Sequence, residues 1–117
     1  MATLLHALLT GGELHQSKLS FEINTLTDDY IVTEADNVLL VDTATIASAS
    51  ALTLPAPANA VESVWLIKDV GGQAASHPIT LDRSAGGSIE GSASNYVIST
   101  NYAAIWLLCD GTDFWVM

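Results

Sequence analysis

The feature that most constrains this chain is its last third, where short apolar or alternating segments follow one another with glycines between them. Pro78-Ile79-Thr80-Leu81-Asp82, Gly86-Gly87-Ser88-Ile89-Glu90-Gly91 and Asp110-Gly111-Thr112-Asp113-Phe114-Trp115-Val116 form the series. Alternation of period two places successive side chains on opposite faces of a strand, and glycine supplies the turns between strands. Asp110-Gly111, between Ala104-Ile105-Trp106-Leu107-Leu108-Cys109 and Phe114-Trp115-Val116, predicts a hairpin with a type I′ turn, because that turn needs positive φ at its central residues.

The pattern extends upstream. Phe21 and Ile23 share one face of a half-buried strand, with Glu22 and Asn24 on the other. Tyr30-Ile31-Val32 and Val38-Leu39-Leu40-Val41, separated by Glu34-Ala35-Asp36-Asn37, predict a second hairpin. Thr43 to Ser50 is Ala, Ser and Thr with one Ile, which suits a tight bend or closely approaching backbones more than a packed core. Ala51-Leu52-Thr53-Leu54 is a strand closed by Pro55, and Pro57 argues against further ladder bonding, so residues 55 to 63 are expected as a surface loop. Val64 to Lys68 is apolar on both faces, as in a central sandwich strand or a subunit interface, and Gly71-Gly72 ends it. Ile79 and Leu81, then Tyr96 and Ile98, alternate with their neighbours, and Ala103 to Leu108 is nearly all apolar. Strands recurring roughly every eight to twelve residues fit a small all-β sandwich or barrel-like domain and leave no room for βαβ units. No internal repeat stands out.

A chain of 117 residues accommodates one domain and a modest core. The reading is an N-terminal arm over residues 1–19 and a β domain over residues 20–117. Within the arm, Leu4, Leu5, Leu8 and Leu9 lie in a stretch long enough for two helical turns before Gly11-Gly12. A helix that short is marginal in water, so these leucines need a surface, either their own domain or another molecule. Half of the residues are hydrophobic (50%) and only 14% are charged, an apolar balance that points to surface hidden in an oligomer.

Charge narrows the partners. Three basic residues (Lys18, Lys68, Arg83) against 13 acidic ones give a net charge of −10, which argues against nucleic-acid binding, since Lys and Arg supply most phosphate affinity. The acidity serves solubility, or docking on a basic protein surface. A lone cysteine, Cys109, precludes an intramolecular disulfide. The segment Met1 to Leu9 lacks the basic start of a signal peptide. No apolar run approaches the ~20 residues of a membrane span, so the chain is expected to be made in the cytoplasm without membrane insertion.

No catalytic constellation emerges. His6, His15 and His77 lie in the arm or beside Pro78, and no G-x-S-x-G elbow presents a serine, so no enzyme activity is expected. One cysteine and scattered histidines do not make a zinc site. Asp28, Asp29, Glu34 and Asp36 do not match an EF-hand loop, and a solvated acidic face is the better reading. Gly71-Gly72 and Gly86-Gly87 lack the features of a phosphate loop, and no cofactor is expected. Cys109, ending an apolar strand, reads as a small buried hydrophobe. Trp65, Trp106 and Trp115 suggest core or interface positions ahead of a sugar-stacking platform, because each sits inside a strand among Val, Leu and Ile.

The order Thr53-Leu54-Pro55, then Val64-Trp65-Leu66-Ile67-Lys68-Asp69, then Gly86-Gly87-Ser88-Ile89-Glu90-Gly91, then Asp110-Gly111-Thr112 with its aromatic strand, resembles a β module of structural proteins of tailed bacteriophages. That module occurs in tail fibres and capsid decoration proteins. The resemblance covers roughly residues 30 to 117. It implies a virion structural protein, a homotrimer whose partner is the major capsid protein, located on the capsid exterior. It also implies that Leu4, Leu5, Leu8 and Leu9 form a capsid-binding arm and that Trp65, Ile67, Trp106 and Trp115 line the core or the trimer interface. Tail fibres normally continue into long repetitive shafts, so a chain of this length fits the decoration (cement) role better than a tail-associated one. A carbohydrate-binding module and a small enzyme subunit are the alternatives from other classes. The chain departs from the family pattern at Val61-Glu62-Ser63, where relatives often carry a glycine.

Overall fold

The computed structural model of the chain describes residues 20–117. The domain is nearly all-β: nine strands and one short 3-10 turn, Pro57–Asn59. The strands are β1 (Ile23–Leu26), β2 (Tyr30–Ile31), β3 (Val38–Val41), β4 (Ser50–Thr53), β5 (Val64–Asp69), β6 (Ile79–Asp82), β7 (Tyr96–Ile98), β8 (Ala104–Cys109) and β9 (Phe114–Val116). They form a five-stranded sheet, β1-β3-β5-β8-β9, and a four-stranded sheet, β2-β4-β6-β7. The buried faces of both sheets contribute to one apolar core that includes Leu39, Leu52, Trp65, Ile67, Ile79, Leu81, Leu107 and Phe114.

The connectivity is built on repeated crossings between the two sheets. The chain passes three times from the larger sheet to the smaller, through β1–β2, β3–β4 and β5–β6, and each pass lays its strands parallel to those of the pass before. Ile23 pairs with Val38 and Val38 with Leu66; Leu52 pairs with Tyr30 and with Leu81. Crossing between sheets replaces the helix that normally returns a chain to a parallel neighbour. The expected hairpin between residues 30–32 and 38–41 is therefore absent, since β2 and β3 lie in different sheets. Antiparallel pairing is confined to the end of the chain, where β7 closes the small sheet and β8 and β9 close the large one.

The β8–β9 hairpin is present as expected, with a different turn. Cys109 pairs with Phe114, so the loop is Asp110–Asp113 rather than a two-residue type I′ turn. Its stabiliser is the Asp110 carboxylate, which accepts bonds from the N–H groups of Thr112 and Asp113, both at 2.8 Å. Residues 86–91 form turns rather than a strand, from which Ile89 is inserted into the core and bridges Ser92 and Phe114. Gly87 in that turn has φ +77°, and a Cβ there would lie 2.7 Å from Pro57 Cγ and 3.1 Å from the Thr112 carbonyl. Residues 55–63 are not wholly a surface loop, because Pro57 and Ala60 are buried.

Two buried carboxylates hold the crossings. Asp36 accepts from Asn24 Nδ2 (2.9 Å), Tyr30 Oη (2.8 Å) and the Thr33 amide (2.8 Å), so it ties the turn before β3 to both β1 and β2. It is 5% exposed, so of the four residues read as a solvated acidic face Asp28, Asp29 and Glu34 are exposed and Asp36 alone is buried. Asp69, fully buried at the end of β5, accepts from Thr43 Oγ1 (2.6 Å) and from the amides of Gly71 (3.0 Å), Gly72 (3.0 Å), Ala74 (3.2 Å) and Tyr102 (2.9 Å). One side chain thereby organises three separate loops.

Candidate functional site: an apolar outer sheet face

The two sheets present unlike outer faces. On the four-stranded sheet the outward rows are Ile31, Thr53, Asp82 and Ala51, Thr80, Val97, a mixed set with small and polar members. On the five-stranded sheet the cross-strand rows are Ile23, Val38, Leu66, Trp106, then Thr25, Leu40, Lys68, Ala104, then Val64, Leu108, Trp115. None of these outward positions carries a carboxylate, although the chain has 13 Asp and Glu. Ile23 is 61% exposed, Trp106 43% and Trp115 40%. These positions make a contiguous, partly exposed apolar patch on the outer face of the larger sheet.

A cavity of about 180 Å³ indents this face, lined by Phe21, Asn37, Val38, Val64 and Trp106. It lies where the described chain begins, at the rim formed by Phe21. Trp115 stands farther along the sheet, opposite Leu108, and its indole Nε1 donates to Asp110 Oδ2 at 2.9 Å. Lys68 is the one charge on the face, and it is engaged: its ammonium donates to the Tyr102 carbonyl and lies 5.7 Å from that ring's centroid.

The sequence-derived interface set divides cleanly. Trp65 and Ile67 are fully buried in the core, where Trp65 packs tilted against Phe114 (centroids 6.2 Å apart) and donates from Nε1 to the Thr33 carbonyl at 3.0 Å. Trp106 and Trp115 are on the open face. Sequence reasoning missed Phe21, Ile23, Val38 and Leu108 as members of that face, while Val64 and Leu66 lie in the run it read as a central strand or a subunit interface. The signal was present in the runs 64–68 and 103–108, which are apolar at successive positions and so must offer apolar groups to both sides of a sheet. Phe21 and Ile23, expected on a half-buried face, point outward, while Asn24 turns inward to Asp36. Leu4, Leu5, Leu8 and Leu9 lie outside the described residues.

Among the described residues no group of His, Cys, Asp and Glu could hold a metal ion, and no helix is long and apolar enough to cross a membrane. His77 is tied by Nδ1 to the Thr43 carbonyl at 2.8 Å. Burial raises the Cys109 thiol pKa, and its Sγ approaches the Pro57 carbonyl at 3.5 Å, the environment of a packing residue rather than a nucleophile. A more open depression of about 320 Å³ follows the β1–β2 turn from Asn24 to Tyr30. There Asp29 accepts from the Ala51 amide and Asp28 from the Asp29 amide, each at 2.8 Å, so both carboxylates already serve the backbone. No protein-family model matches the chain, and no curated protein matches its sequence.

Proposed function

We propose that this chain is a virion structural protein of a tailed bacteriophage, a decoration protein that self-associates as a trimer and binds the lattice of the major capsid protein. The observation that carries the self-association is the carboxylate-free apolar face of the five-stranded sheet on a chain of net charge −10. Copies repel one another wherever their acidic surfaces meet, and this face is where that repulsion is weakest and the gain from burial largest. Fully burying a Val, Leu or Ile side chain is worth about 1.5–3 kcal/mol, and the partly exposed side chains of this face have a fraction of that left to gain. The virion assignment itself rests on the resemblance of the strand and turn order. In this reading the protein acts mechanically: it binds the assembled lattice in preference to free subunits and stabilises the shell by mass action.

Exposure of Trp106 and Trp115 on one face gives a specific reason to keep glycan binding as the second reading. Against it, the groups around them are mostly apolar, with Asn37 the one polar side chain lining the cavity beside Trp106, and the Trp115 indole N–H is already bonded to Asp110. Sugar recognition needs convergent polar groups beside the aromatic rings. The test is to mix the protein with capsids that lack it and pellet them, with quenching of tryptophan fluorescence by host polysaccharides as the parallel assay. Co-sedimentation in fixed ratio is expected, with no polysaccharide effect. Free protein in the supernatant together with saturable quenching would replace the capsid reading with the glycan one.

A further inference from the structure

We infer that the cavity lined by Phe21, Asn37, Val38, Val64 and Trp106 is a socket for the leucine-bearing N-terminal segment of a second copy of this chain. The inference deepens the self-association reading and rests on it. It assigns Leu4, Leu5, Leu8 and Leu9 to a neighbouring copy rather than to the capsid lattice.

Four observations lead there. The cavity is apolar apart from Asn37, and its volume of about 180 Å³ suits branched side chains; an apolar cavity of ~150 Å³ already accepts a benzene-sized guest. A flat sheet from another copy would leave this concavity empty and forfeit its contacts, whereas a protruding leucine fills it. The face is also small: five strands at ~4.8 Å spacing, with the longest six residues at ~3.3 Å each, give a projected area of roughly 400 Å². A standard interface buries ~800 Å² per partner, so the sheet face alone falls short and a further segment has to contribute.

Chain path and charge supply the occupant. Phe21, at the start of the described residues, forms part of the cavity rim. Leu9 lies twelve residues before Phe21, a stretch that spans up to about 40 Å, roughly twice the ~19 Å width of the sheet. Residues 2–12 contain no carboxylate, so segment and face are both free of the charge that sets copies apart. A closed ring of three copies is built from heterologous contacts, which require two different surfaces on each copy. A sheet face with a socket and a leucine-bearing segment are two such surfaces.

The test uses full-length chains carrying single cysteines, Leu8→Cys in one and Val64→Cys in the other, mixed and oxidised. Cys109 is buried and free, so the new thiols are the accessible ones. A disulfide between the two variant chains on a non-reducing gel is expected. In a chain carrying both substitutions, closure within one chain without cross-linking would show that each copy covers its own socket and would overturn the inference, as would no pairing in either format. Deleting residues 2–12 is expected to abolish the trimer at concentrations where the full chain is trimeric. A trimer that persists in the deletion variant with Trp106 still shielded from acrylamide would sink the inference and leave self-association standing. A monomeric full-length chain would sink both.

Discussion

At the scale of single residues, the fold depends on carboxylates that look from the sequence like surface residues. Burial on its own would raise the Asp69 pKa. The bonds from Thr43, Tyr102, Gly72 and Ala74 outweigh it, and the net shift is downward. A carboxyl whose folded pKa is depressed contributes stability that is present above its unfolded value, about 3.9, and is lost as the pH falls through the folded value. Acid unfolding monitored by circular dichroism should therefore begin below about pH 4. Asp69→Asn puts an amide N–H where a carboxylate oxygen now accepts backbone N–H groups. It should lower stability by about 2–4 kcal/mol in urea titrations. Tyr30 is the complementary case. Its hydroxyl donates to Asp36, and that bond, followed by burial and the Asp36 charge, raises its pKa above 10.0. Stability from this bond is complete below the unfolded tyrosine value and is lost as pH rises through the folded one, so alkaline destabilisation is expected above about pH 10. The Tyr30 share of it should vanish in Tyr30→Phe, while the share from the buried Cys109 thiol remains.

Glu62 is a non-glycine residue in a left-handed conformation. It occupies φ +64° in the Val61-Glu62-Ser63 turn before β5. A left-handed residue with a Cβ costs about 1 kcal/mol, so Glu62→Gly should leave stability unchanged or raise it by up to about 1 kcal/mol. A clear loss in thermal unfolding would show that the Glu62 side chain contributes more than the strain it costs.

At the scale of elements, what could be read depended on sequence distance. The β8–β9 hairpin was legible because Asp110-Gly111 is a local signal. β5 was legible as an apolar run ended by Gly71-Gly72, and β6 and β7 from alternation. The parallel passes were not, because register partners are far apart and unevenly spaced: the interval from Ile23 to Val38 is about half that from Val38 to Leu66. A repeat of uneven period leaves no regular trace in composition, and β2, at two residues, is too short for a period to register. Asp36 and Asp69 escaped for another reason. An aspartate in a turn is ordinarily solvated, and only the folded crossings surround these two with donors. The outer face was half legible, since the apolar runs announced strands covered on both sides without saying which side lacked cover within one chain. Among the turns, Gly87→Ala combines a positive φ with a clash against Pro57, and it should cost about 1–3 kcal/mol while keeping the β-rich circular dichroism spectrum.

At the scale of the whole molecule, the two sheets have separate roles. Their inner faces share one core that holds the domain, while the outer face of the larger sheet is left apolar and uncharged except for an engaged lysine. That asymmetry carries the proposal that protein covers this surface. Trp106, 43% exposed, can take a charge without disturbing the core, and Trp106→Glu should keep the fold while lifting the association. Light scattering coupled to size exclusion on the chain and on Trp106→Glu tests this most directly. The account predicts three 12.3 kDa chains in the unmodified particle, about 37 kDa, and a folded monomer for the variant. An unmodified chain that runs as a monomer at all concentrations, or a variant that associates as well as its parent, would contradict it.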